Sequence, residues 1–139
     1  MILNVNIFYS YLKNGSNDGI IVESIKDPEV EGVTCHISYA KTGGIGGDFG
    51  FAEDPSRFSI ACRQTGALVM PANIKKQKSV AAFDKNIFFK EMIVTRMFDD
   101  KNATIIYLVS SRKLIDGSPF NAISTIPLMP WGVKEPVFK

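Results

Sequence analysis

Apolar and polar residues alternate with a period of two over several stretches of this chain. Leu3, Val5, Ile7, Tyr9 and Tyr11 share one parity, and Asn4, Asn6 and Ser10 fall between them. Successive side chains of an extended chain point to opposite faces, so residues 2–11 predict a half-buried strand. Asn14-Gly15-Ser16-Asn17-Asp18-Gly19 tolerates positive φ and reads as a turn. The run Ile20 to Ile25 predicts the returning strand. Val33, Cys35, Ile37 and Tyr39 alternate with Thr34, His36 and Ser38; Phe58, Ile60 and Cys62 alternate with Ser59, Ala61 and Arg63. Both cysteines therefore fall on the apolar face of their own strand, which places both in the core.

Leu68 to Ile74 is apolar and broken by Pro71, and Asn73 to Lys78 is a polar connection. Val80 to Ala82 starts a further strand, and Asp84-Lys85-Asn86 is a turn. Ile87 to Phe98 is the longest strand candidate, because its aromatic and β-branched content favours a strand over a helix. Asp99-Asp100-Lys101-Asn102 predicts a hairpin loop, with Thr104 to Ser110 returning. Asp116-Gly117-Ser118-Pro119 is a turn, Asn121 to Ile126 a short strand, and Pro127 to Trp131 ends regular pairing because proline removes ladder donors. Asp27-Pro28-Glu29-Val30-Glu31-Gly32 predicts a short helical turn, with Asp as cap, Pro at the first helical position and Gly at the end. Asp54-Pro55-Ser56-Arg57 repeats its start. These elements predict one domain over residues 1–139, mainly β. The expected architecture is an antiparallel sandwich or partly open barrel of seven to eight strands with short helical turns.

Composition narrows the function classes. Of 139 residues, 45% are apolar, enough for a real core, and 16 basic against 14 acidic side chains leave a net charge of only +2. That balance argues against a nucleic-acid surface. The densest basic cluster, Lys75-Lys76-Gln77-Lys78, reads as a solvated turn. No apolar run approaches the roughly 20 residues of a membrane span. The N-terminus has no positively charged leader region, so the residues read either as a protein that stays inside the cell or as a mature form with an added Met.

Five of the eleven glycines fall at Gly43, Gly44, Gly46, Gly47 and Gly50. The cluster fits neither phosphate-loop template, since Phe49 stands where a dinucleotide loop needs glycine and no Gly-Lys-Ser/Thr follows. Its amides could still form an anion-binding nest, but a tight turn or bulge is the preferred reading of the glycines. No metal site and no cofactor are expected: the one histidine, His36, adjoins Cys35 on the opposite strand face, which is not a closed zinc set. No catalytic residue stands out, because Gly-x-Ser-x-Gly is missing and the neighbouring carboxylates Glu53-Asp54 and Asp99-Asp100 point apart on an extended chain. The cysteine separation of 27 residues is neither a redox nor a metal-clip spacing. Two core thiols and a disulfide both remain open, and a bridge would stabilise the fold by roughly 3.5 kcal/mol.

Several strings resemble the CreA family of bacterial cell-envelope proteins. Val33-Thr34-Cys35, Ala40-Lys41-Thr42-Gly43-Gly44-Ile45-x-Gly47, Gly50-x-Ala52-Glu53-Asp54 and Ile60-Ala61-Cys62 resemble its first half. Gly117-Ser118-Pro119-x-Asn121-Ala122-Ile123-Ser124 and Pro127-x-Met129-Pro130-Trp131 resemble its C-terminal end. The matches run in order over about residues 20–131. The resemblance implies a periplasmic protein whose precursor carries a signal peptide, absent from this chain, and in that oxidising compartment a Cys35–Cys62 disulfide. It carries no established biochemical activity.

The leading expectation is a non-catalytic binding or interaction module. Its candidate ligand residues are Lys41, Thr42, Gly43, Gly44, Gly46, Gly47, Glu53, Asp54, Ser118 and Asn121, which could hold a small anionic or polar ligand if their loops converge. Alternatives are an envelope-stress protein acting through contacts with another envelope protein, by an apolar patch at Phe49, Phe51, Phe120 and Trp131, and a small hydrolase-type enzyme using Lys41, His36, Glu53 and Asp54.

Overall fold

The structure is a computed structural model that describes residues 6–11, 19–41, 58–82, 92–111 and 119–139. The strands are β1 (Asn6–Tyr11), β2 (Gly19–Ile25), β3 (Glu31–Lys41), β4 (Phe58–Met70), β5 (Gln77–Ala82), β6 (Met92–Asp99), β7 (Thr104–Ser111), β8 (Asn121–Pro127) and the two-residue β9 (Val137–Phe138). They form a five-stranded sheet in the order β1-β2-β3-β4-β9 and a four-stranded sheet in the order β5-β6-β7-β8. Every pairing is antiparallel except β4 with β9. The result is the expected antiparallel β architecture, as two sheets rather than a closed barrel.

Alternation decides which residues fill the space between the sheets. Ile21, Ile25, Val33, Cys35, Ile37, Tyr39 and Leu68 come from the first sheet, and Met92, Val94, Ile105, Tyr107, Val109 and Ile126 from the second. Burying a side chain of this size contributes on the order of 1.5–3 kcal/mol, so the two apolar faces account for the pairing of the sheets. The edges of β4 and β8 also meet. The Phe58 and Phe120 rings contact edge to face at 4.9 Å. The Cys62 amide donates to Ser124 Oγ at 2.7 Å.

Two local expectations are corrected. Residues 27–30 form a bend leading into β3, not a helical turn, and no helix occurs among the described residues. The reason is tertiary: Val30 is buried in the core, and Gly32 belongs to β3 instead of ending a helix. The segment 58–64 and the start of the segment 68–74 are one strand, β4, which runs through a bulge and ends at Met70. Between Glu31↔Val69 and Val33↔Gln64, two steps along β3 stand opposite five along β4. Gly32, at φ +89°, permits this, because a Cβ there would overlap the Ala67 carbonyl. The tail is docked: Lys139 N donates to Met70 O at 2.9 Å and accepts from Ala72 N at 3.1 Å through its carbonyl.

The hairpin at residues 99–102 forms as expected. Asp99 accepts from the Asn102 backbone at 3.2 Å and from its side chain at 2.8 Å, and Ala103 takes φ +47°. Asp54-Pro55 and the first half of the run Ile87–Phe98 lie outside the described residues.

Candidate functional site

An open cleft of about 940 Å³ lies at the β4 bulge. One wall comes from the β2–β3 connection and the start of β3, including Lys26, Val30 and Glu31. The second is the bulge itself, Thr65 to Val69. The third is the C-terminal segment, through Val133, Lys134, Glu135 and Val137. Five valines contribute to the lining, and two lysines and two glutamates share its rim. The C-terminal wall is built by a reverse turn in which Trp131 and Lys134 exchange backbone hydrogen bonds at 2.8 and 3.1 Å. Gly132 takes φ +62° in that turn. Gln64 braces the bulge from below, its Nε2 donating to Gly66 O at 3.0 Å and to Met129 O at 3.2 Å.

Behind this end of the sandwich lies a buried polar centre. Arg96 Nη1 donates to Asp27 Oδ1 and Oδ2 at 3.0 and 2.8 Å, and Tyr107 Oη donates to Oδ2 at 2.8 Å. The Glu29 amide also donates to Oδ1, at 2.9 Å. Both partners of the ion pair are almost wholly excluded from solvent. Burial, and next the Asp27 carboxylate, push the Tyr107 phenol far above its ordinary range. Toward the surface, Lys78 Nζ donates to Glu29 Oε2 at 2.8 Å and holds the Glu29 carboxyl below its ordinary value. With its oxygens occupied and no solvent contact, Asp27 clamps the two sheets and is not placed to act on a substrate. A second buried contact, Tyr39 Oη to Glu23 Oε1 at 2.7 Å, ties β3 to β2.

The residues expected from sequence separate into three groups. Cys35 and Cys62 face each other across β3 and β4 and are joined by a disulfide. Thr42, Gly43, Gly44, Gly46, Gly47, Glu53, Asp54 and Ser118, with Phe49 and Phe51, lie outside the described residues. Lys41 ends β3 opposite Gly19, and Asn121 starts β8, where its Nδ2 donates to Pro119 O at 3.2 Å. The Phe58–Phe120 contact and the hydrogen bond from Ser111 N to Phe120 O at 2.9 Å put these two strand ends at the same end of the sandwich. That end is opposite the cleft. The apolar patch is not assembled among its described members: Phe120 and Trp131 are both exposed, but the whole of β8 separates them.

Sequence reasoning did not single out Arg96, Tyr107, Lys26, Glu31, Lys134 or Glu135, and gave Asp27 only a capping role. For Arg96 a signal was present. It shares parity with Met92 and Val94, so a strand there must bury a guanidinium and needs a carboxylate partner.

The family model for CreA protein matches residues 2–131. Over 121 residues the chain is 44% identical to Protein CreA of Escherichia coli strain K12, covering 84% of this chain and 77% of that protein. Protein CreA of the O6:H1 and O157:H7 strains matches with the same identity and coverage. No solved structure matches this chain. The match spans both cysteine strands, the bulge and the first residue of the Trp131–Lys134 turn, and on this evidence the chain belongs to the CreA family.

Proposed function

We propose that this protein is exported to the periplasm and acts there as a binding module without catalytic chemistry, with the cleft at the β4 bulge as its ligand site. The observation that carries the reading is the lining of the cleft, in which Val30, Val33, Leu68 and Val69 lie beside the exposed charges of Lys26, Lys134, Glu31 and Glu135. Concave, mostly apolar hollows with a few charged groups are where small ligands bind. Both signs of charge on one rim suit a zwitterionic solute with an apolar body, such as a dipeptide of aliphatic residues. Export is supported by the disulfide, which persists in oxidising compartments.

Heteronuclear NMR titration of the intact protein with Val-Val and Leu-Leu dipeptides tests the site. Perturbations centred on Thr65 to Val69 and Lys134, abolished by Lys134→Glu with Glu135→Lys, are expected. No perturbation at millimolar dipeptide would remove the reading. For export, osmotic-shock fractionation of cells making the full-length gene product, with thiols trapped at harvest, is expected to release the protein unalkylated at both cysteines.

A second reading places a small anion at the opposite end, held by Lys41, Thr42, Gly43, Gly44, Gly46, Gly47, Glu53, Asp54, Ser118 and Asn121. Its support is the contact between Phe58 and Phe120, which draws together the strand ends leading into both segments. Inorganic phosphate is the probe, and perturbation of Lys41 and Asn121 without Lys134 would favour this end over the cleft.

A further inference from the structure

The outward face of the four-stranded sheet is almost free of charge. Along β6, β7 and β8 the residues opposite in parity to the core include Ile93, Met97, Ile106, Leu108 and Ile123. Leu108 lies between Thr95 and Ile123 in one cross-strand row, and Ile106 between Met97 and Thr125 in the next. The other outward positions of these strands and of β5 are mainly hydroxyl or amide residues. The only charge among the described ones is Asp99, at the hairpin end. Ile123 is 61% exposed, and the outward β6 and β7 side chains are half-buried. A solvated sheet face ordinarily alternates core residues with polar and charged ones, so this face has the character of a covered surface.

We propose that this face is a self-association surface, packed against the same face of a second copy across a two-fold axis. Three observations select a second copy as the occupant. A twisted antiparallel sheet packs well on another sheet of the same twist, about 10 Å away. An uncharged face meets its own image without like-charge repulsion, and the hairpin rim sets Lys76 and Lys101 against Asp99 and Asp100. The face also carries a hollow on one side and an exposed apolar side chain on the other. A hollow of about 400 Å³ lies over Gln77, Met97 and Ile106 on the β5–β6 side, while Ile123 protrudes on the β8 side. A two-fold axis along the strands lays β8 of one copy over β5 and β6 of the other and brings Ile123 toward that hollow.

Four strands about 4.8 Å apart and at most about 26 Å long cover roughly 450 Å² per copy, or about 900 Å² in total. That lies just under the range of standard stable interfaces, so the dimer is weak and concentration-dependent.

Sedimentation velocity on the intact, oxidised protein from about 5 µM to 500 µM tests this. The expected result is a single-chain mass at the low end and a two-chain mass at the high end. Ile123→Lys, at an exposed position that folding does not need, is expected to leave one chain at every concentration with unchanged thermal unfolding; Leu108→Lys acts at the centre of the same face. Arg63→Glu, on the outward face of the other sheet, is expected to leave the dimer intact. A single-chain mass at 500 µM overturns the proposal, as does a dimer that survives Ile123→Lys. A monomer that instead sediments with phosphatidylglycerol vesicles through this face also overturns it.

Discussion

Arg96 on β6 and Asp27 in the β2–β3 connection, 69 residues apart in sequence, form an ion pair in which Nη1 reaches both carboxylate oxygens and fastens one sheet to the other. Both side chains are out of water, and the Arg96 Nε has no hydrogen-bond partner among the described residues. Removing one member of such a pair strands the other charge in the core, and the penalty exceeds anything the pair contributes when intact. Asp27→Ala is therefore expected to lower stability by about 3–5 kcal/mol. Asp27→Leu combined with Arg96→Met, which replaces both charges with apolar groups, is expected to recover most of that loss. Urea denaturation of the parent, Asp27→Leu, Arg96→Met and the double variant, analysed as a double-mutant cycle with Asp27→Ala measured alongside, reads the result. A double variant as unstable as Asp27→Ala would show that the clamp contributes net stability beyond charge compensation.

The disulfide acts on the unfolded chain. Cys35 and Cys62 enclose 27 residues of sequence separation, and their strands are already paired in register on both sides. Reduction, or Cys35→Ser with Cys62→Ser, is expected to lower stability by roughly 3.5 kcal/mol through the entropy the open chain regains. The two-sheet fold is expected to survive, because the Tyr39↔Phe58 and Val33↔Gln64 pairings flank the bridge. Near-ultraviolet circular dichroism before and after reduction, with a denaturant midpoint for each state, measures both parts.

Much of the architecture was legible because each strand buries one face, so parity alone sorts Val33, Cys35, Ile37 and Tyr39 from their neighbours. The 99–102 hairpin was legible for a different reason, its turn chemistry being local. The bulge was not legible. Thr65-Gly66-Ala67 looks like a break between two strands, and only Gly32, more than thirty residues away, turns it into a continuous one. The cleft depends on that bulge and on a tail that docks through two backbone hydrogen bonds, so no short-range pattern announces it. The glycine-rich segment and Ser118, which the sequence marks most strongly, lie outside the described residues, and their ligand role rests on the strand ends at Lys41, Phe58, Phe120 and Asn121.

Gly32 tests the bulge directly. Its φ of +89° disfavours any L side chain, and a Cβ would lie 2.7 Å from both the Ala67 carbonyl carbon and the Gly66 oxygen, which are backbone atoms unable to step aside. Gly32→Ala is expected to cost about 2–4 kcal/mol, combining backbone strain with overpacking. Gly66→Ala is a matched control on the opposite strand, since its Cβ would meet only Gly32 Cα at an ordinary 3.7 Å. That variant is expected to lie within about 1 kcal/mol of the parent. Thermal unfolding of both proteins decides, and equal losses would mean that the bulge tolerates a side chain on either strand.

The polar centre also sets how stability varies with pH. The Tyr107 phenol is held far above its ordinary value of 10.0 by burial and then by Asp27. The folded protein thus keeps a proton that the unfolded chain releases above about pH 10, and stability is full below that pH and declines as pH rises beyond it. The acid side follows the opposite rule. Glu29 is lowered from 4.5, chiefly by the hydrogen bond from Lys78, and Asp99 is lowered from 3.8 by Asn102. Their contributions are present at neutral pH and are lost as pH falls below these ordinary values through the lowered folded ones. Urea midpoints measured from pH 3 to 11 are expected to trace a plateau with two falling limbs. Tyr107→Phe is expected to flatten the alkaline limb while costing about 1–2 kcal/mol at neutral pH, because Asp27 Oδ2 then keeps only Arg96. Lys78→Met is expected to shallow the acid limb and leave the alkaline one unchanged. An alkaline limb that persists in Tyr107→Phe would assign it to other phenols or to the lysines.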